Sequence, residues 1–147
     1  MIEQSQLMAL KNIGSTATRP QALYVPDQFA TIRATALGST TVWNPDTSNF
    51  LLLGFTITVA GTLAAPGEQI VELLDTGNEV TIAQFSTFLP ATAVGNTFFG
   101  QDYGGGYGYL GADTGNPTTL SVNLSVAMAT GHVCVNAWGS WGVLPTP

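Results

Sequence analysis

Charge is what this sequence has least of. Charged residues make up 8% of its 147 positions, against about a quarter in ordinary soluble domains. The three bases, Lys11, Arg19 and Arg33, lie in the first 33 positions, and from residue 34 onward there are seven acids and no base. Such a body repels phosphate, which argues against a nucleic-acid partner. Cysteine is nearly absent too. Cys134 stands alone, so no disulfide can close within the chain, and its place in an alternating segment suits a buried, inert thiol. No run approaches 18 apolar residues, and the first residues lack the basic-then-apolar order of an export signal; neither a membrane partner nor that export route is expected. With His132 as the single histidine, a multi-histidine metal centre is excluded. No cofactor is expected.

What remains is 45% hydrophobic and rich in glycine, and its apolar residues are spaced by two. Leu120, Val122, Leu124, Val126 and Met128 alternate with Ser121, Asn123, Ser125 and Ala127, the pattern of a half-buried strand. After Ala129-Thr130-Gly131-His132 it resumes at Val133, Val135 and Ala137, which predicts an antiparallel hairpin turning at Gly131. Further strands are expected over 31–37, 40–43, 50–63, 68–74 and 80–89, the last two joined by the turn Asp75-Thr76-Gly77-Asn78 and reconciled in register by a bulge near Ala83 to Phe85. Phe50 to Phe55 is continuously apolar, as for a strand covered on both faces. The expectation is an all-β chain folded as an antiparallel β-sandwich, jelly-roll or immunoglobulin-like, with an extended N-terminal arm.

Three domains of behaviour follow. Residues 1–30 do not alternate and are interrupted by Pro20 and Pro26; they read as an arm, and Leu7, Met8, Leu10, Ile13, Leu23 and Tyr24 give it more apolar side chains than a free tail carries. Residues 31–139 form the sandwich, and residues 140–147 a tail. Between Pro90 and Pro117 the alternation dissolves into a Gly-Tyr stretch holding Tyr103, Tyr107 and Tyr109, too long for a plain connector and therefore expected to touch a partner.

Each chemical motif has a plain structural explanation beside it. Leu73-Leu74-Asp75-Thr76-Gly77 resembles the active-site turn of retroviral-type aspartic proteases, and Asp113-Thr114-Gly115 repeats the triplet. The resemblance ends there, since Asn78 stands where Ala or Ser is usual and Asp113 follows no apolar strand; Asp-Thr-Gly-Asn is also good turn sequence. His132 and Cys134 lack a third zinc ligand, and Asp102 and Asp113 lack the spacing of a calcium loop. Tyr103, Tyr107, Tyr109, Trp138 and Trp141 could stack on sugars, although aromatics serve protein interfaces more often.

In chain order, Thr41-Val42-Trp43-Asn44-Pro45, Leu52-Leu53-Gly54-Phe55-Thr56-Ile57-Thr58-Val59 through Gly61, Leu73-Leu74-Asp75, and Leu124 to Gly131 into Val133-Cys134-Val135-Asn136-Ala137-Trp138-Gly139 resemble the small β-sandwich proteins of tailed bacteriophages that decorate or cement the capsid. The likeness spans roughly residues 40–139. Two departures are the Ser48-Asn49 pair, where a small residue plus Lys is usual, and the added Gly-Tyr stretch. Membership would imply a non-enzymatic virion protein, made in the host cytoplasm, bound to the major capsid protein on the outer capsid surface and self-associating, with a trimer favoured. The arm residues Leu7, Met8, Leu10, Ile13, Leu23 and Tyr24, or the loop residues Tyr103, Tyr107 and Tyr109, would then clamp capsid subunits, while Trp138 and Trp141 would serve the homo-oligomer. A carbohydrate-binding tail or fibre module is the alternative, and an aspartic protease a more distant one.

Overall fold

The computed structural model of the chain describes residues 26–45, 49–92, 95–103, 108–111 and 118–141. These hold nine strands: β1 (Gln28–Ala34), β2 (Gly38–Trp43), β3 (Phe50–Thr62), β4 (Gly67–Asp75), β5 (Val80–Leu89), β6 (Gly95–Asp102), β7 (Tyr109–Gly111), β8 (Leu120–Leu124) and β9 (Thr130–Trp141). They build two antiparallel sheets. Sheet A runs β1-β9-β3-β6 with β7 beside the start of β3, and sheet B runs β2-β8-β4-β5. The pairings nest, β4 with β5, β3 with β6, β2 with β8 and β1 with β9. A long antiparallel ribbon rolled upon itself has that order, so the sandwich is a jelly roll and not immunoglobulin-like.

The hairpin expected over Leu120 to Trp138 does not form. β8 pairs with β2 and β4 in sheet B, whereas β9 pairs with β1 and β3 in sheet A. Alternation identifies each strand but not its neighbour, and residues 125–129 are a crossing between layers. Buried Gln69 shapes that crossing: its Nε2 donates to the Val126 carbonyl at 2.6 Å, and its Oε1 accepts from Val126 N at 3.0 Å and Ser125 Oγ at 3.2 Å. With their alternation captured by this loop, Val126 and Met128 lie outside any strand. Gly131 takes a φ of 72° opposite Gly61 in the β3–β9 pairing, not at a hairpin tip.

Central strand β3 explains its own odd sequence. Phe50 and Leu52 face the core, a register shift between Leu52 and Gly54 leaves Leu53 as an extra residue, and thereafter Phe55, Ile57 and Val59 face inward. The bulge thus converts an even set of core positions into an odd one, and Leu51 and Leu53 are buried as well, which is why the run is continuously apolar. Val71 and Leu73 of β4, Leu120, Val122 and Leu124 of β8, and Val133, Val135 and Ala137 of β9 complete the core. Phe55→Ala should cost about 3–5 kcal/mol, the range for truncating a core aromatic, read as a lowered urea midpoint at unchanged slope.

β6 and β7 were hidden in the stretch without alternation. They follow each other along the same edge of β3, β6 opposite residues 54–61 and β7 opposite residues 50–52. β6 and β7 are therefore two pieces of one interrupted edge strand, and just past β6 Tyr103 N donates to the Leu53 carbonyl at 2.9 Å. Smaller differences are positional. The β4–β5 turn forms as expected, but Glu79 takes the positive φ, 54°, and the bulge in β5 falls at Ile82, just before Ala83. Gln28 to Ala30 belong to β1, not to an arm, and β9 continues through Ser140 and Trp141.

Candidate functional site: an outward-facing sheet

Alternation gives sheet A a second face. With Ala30, Ile32, Ala34, Val133, Val135, Ala137, Phe55 and Phe99 turned toward the core, the intervening side chains must point outward. The register sets them in rows: Phe29, Trp138, Gly54 and Asp102; then Thr31, Asn136, Thr56 and Gly100; then Arg33, Cys134, Thr58 and Phe98. Phe29 is 71% exposed and Phe98 69%. Half-buried Trp138 lies across Gly54, where the indole occupies the space a Cβ would need. A ladder joins the middle row, Thr31 Oγ1 donating to Asn136 Oδ1 at 2.7 Å and Asn136 Nδ2 donating to Thr56 Oγ1 at 3.0 Å. Apart from Arg33, the face is short-chained, with aromatic rings standing out of it.

Charge divides the two faces. Arg33 is the one cation among the described residues, and it lies exposed on sheet A. Glu68 and Glu72 occupy the outward positions of β4, where Phe88 opposite Glu68 is 71% exposed. Asn123 Nδ2 reaches Glu72 Oε2 at 3.5 Å. No three of His, Cys, Asp and Glu gather among the described residues.

The aromatics singled out in the sequence scatter. Trp138 belongs to the outward face. Trp141 turns the other way, edge-on to Trp43 with centroids 6.5 Å apart, and its buried Nε1 has no partner among the described residues. Tyr103 packs on Phe55 at 6.4 Å and Tyr109 on Phe50 at 6.1 Å. Trp141, Tyr103 and Tyr109 thus pack within the sandwich, each half-buried. Tyr107 and the arm residues Leu7, Met8, Leu10, Ile13, Leu23 and Tyr24 lie outside the described residues. Phe29 and Phe98 were not singled out: one was counted with the arm and the other fell in the stretch without alternation, where only Thr97-Phe98-Phe99 hinted at a strand.

Asp75 is fully buried at the end of β4. One oxygen accepts from Asn78 N at 3.2 Å, and the other accepts from Asn78 Nδ2 at 2.7 Å and from the Tyr109 hydroxyl at 2.8 Å. The carboxylate closes its own turn and ties it to the edge strand. Asp113, the second acid of the protease resemblance, lies outside the described residues. Burial, then the hydrogen bond and charge of Asp75, push the Tyr109 hydroxyl far above its ordinary range. Burial also raises Tyr103. A raised acid favours the folded state below its unfolded pKa, near 10 for tyrosine, and this contribution fades as pH climbs beyond that value. The urea midpoint should therefore fall as pH rises above about 10, with a shallower fall in Tyr109→Phe; equal slopes would contradict the coupling.

No family model matches the chain, and no curated protein is similar enough to count as a relative. Among solved structures it is similar to one described as the cyanophage Pam1 capsid asymmetric unit, at 16% identity and a TM-score of 0.40, over 87% of this chain and 96% of the other.

Proposed function

We propose that this is a non-enzymatic virion protein of a tailed bacteriophage, one that binds the outside of the capsid and stabilises it. The observation that carries the reading is the outward face of sheet A, where Phe29, Phe98 and Trp138 stand among short polar side chains and mark a protein that works within an assembly. Such a surface is matched to another protein surface. The sequence resemblance over residues 40–139 supports the phage assignment. Its motifs fall on structural positions, Trp43 and Phe55 in the core and Gly139 against Leu51. Jelly rolls serve widely as viral capsid domains, which agrees by analogy of fold.

Stabilisation works by mass action. A protein that binds the assembled shell and not its dissociated subunits shifts the equilibrium toward the shell, and symmetry repeats each modest contact over many copies. The major capsid protein is the partner, the apolar N-terminal segment is the clamp, and a trimer is the assembly favoured by the resemblance. Removing residues 1–25 should leave the thermal transition of the sandwich in place and abolish co-sedimentation with shells. Retained binding by the truncated protein would remove the clamp role from that segment.

A further inference from the structure

We infer that the outer face of sheet A is an isologous contact with a second copy of this chain. The face carries charges of both signs at opposite corners: Arg33 on β1 in one outer row, and Asp102 on β6 two rows away. The other two corners are Phe29 and Phe98. Three strand spacings of about 4.8 Å span the rows, and four residues at about 3.4 Å separate them, so the corners form nearly a square, about 14 Å on a side. A twofold axis lying in the interface along the Phe29–Phe98 diagonal therefore maps corner onto corner. Phe29 meets Phe29 and Phe98 meets Phe98, while Arg33 meets Asp102 of the second copy, twice. The strands of the two faces then cross near a right angle, one of the two standard ways sheets pack.

The interior of the face suits this contact. Thr31, Asn136 and Thr56 satisfy one another within the sheet, so covering them strands few donors. Four strands by seven residues give a patch of about 19 Å by about 23 Å. Burying it on both copies removes on the order of 1,000 Å² from water, the scale at which specific interfaces begin. Sheet B offers no such self-match, because Glu68 and Glu72 on its outer face would meet their own copies without an opposing base.

Light scattering across a concentration series of the full chain tests the contact. An isologous twofold requires an even number of chains, two alone or six if threefold contacts are also made. Phe98→Ser should weaken the association by about a hundredfold, and Arg33→Asp by about tenfold. Arg33→Asp combined with Asp102→Arg should recover most of the loss, because the exchanged pair is again complementary, and circular dichroism verifies that each variant is folded. A monomer or trimer at high concentration overturns the inference, as does an even oligomer indifferent to Phe98→Ser or without recovery in the double variant. Shell co-sedimentation is read separately: binding to shells without even-numbered association discards this contact and leaves the virion role standing.

Discussion

A Gly139→Ala variant should lose about 3 kcal/mol of stability, the upper range for forcing extra volume into a packed core. Gly139 lies in β9, the inner strand between β1 and β3, opposite Gln28 on one side and Leu52 on the other. A Cβ there would run into the Leu51 carbonyl, coming within 3.0 Å of its carbon and 3.1 Å of Trp43 Cη2. Neither neighbour can yield freely. The carbonyl belongs to the central strand, and the Trp43 ring is braced edge-on by Phe50 at 5.9 Å and by Trp141 at 6.5 Å. Since domains of this size are stable by about 5–15 kcal/mol, the variant should show a much lower urea midpoint or fail to accumulate folded. A midpoint unchanged from the parent would mean that β3 and β9 leave room for a methyl group between Gly139 and the Leu51 carbonyl.

Asp75→Ala should cost about 2–4 kcal/mol, because it leaves the Tyr109 hydroxyl and both Asn78 donors without their acceptor in a buried site. Asp75→Asn retains one acceptor oxygen and should lose about half as much. The pair of variants also separates a structural acid from a catalytic one. In the structural case stability falls in both, and shell binding persists at temperatures where the protein remains folded. A catalytic aspartate behaves otherwise: Asp75→Asn would abolish peptide cleavage at little cost in stability.

Most strands were legible because period-two alternation is a local property. Leu120 to Leu124 and Val133 to Ala137 announce themselves whatever they pair with. Pairing is not local, and the false hairpin shows why: a strand–Gly–strand pattern reads the same whether the link turns within one sheet or crosses to the other. The crossing is decided by Gln69, more than fifty residues earlier in the chain, which captures Val126 and Ser125. β6 escaped notice because edge strands need only one apolar face, and Gly95, Gly100 and Asp102 dilute even that. The candidate face was largely illegible for the same reason. Its rows unite residues 29, 138, 54 and 102, which only the register brings together. Trp138 and Trp141 read alike in sequence, yet Trp138 lies on the outward face of sheet A while Trp141, three residues on, points to the other side of β9 and packs against Trp43.

The central claim is that the protein stabilises a shell by binding it. Purified protein should be titrated onto phage shells assembled without it, with the bound fraction read by sedimentation and shell disruption followed by heating. The account predicts saturable co-sedimentation and a disruption temperature that rises with occupancy. Protein that stays in the supernatant at every concentration, or that binds while the shells come apart at the same temperature, would contradict it.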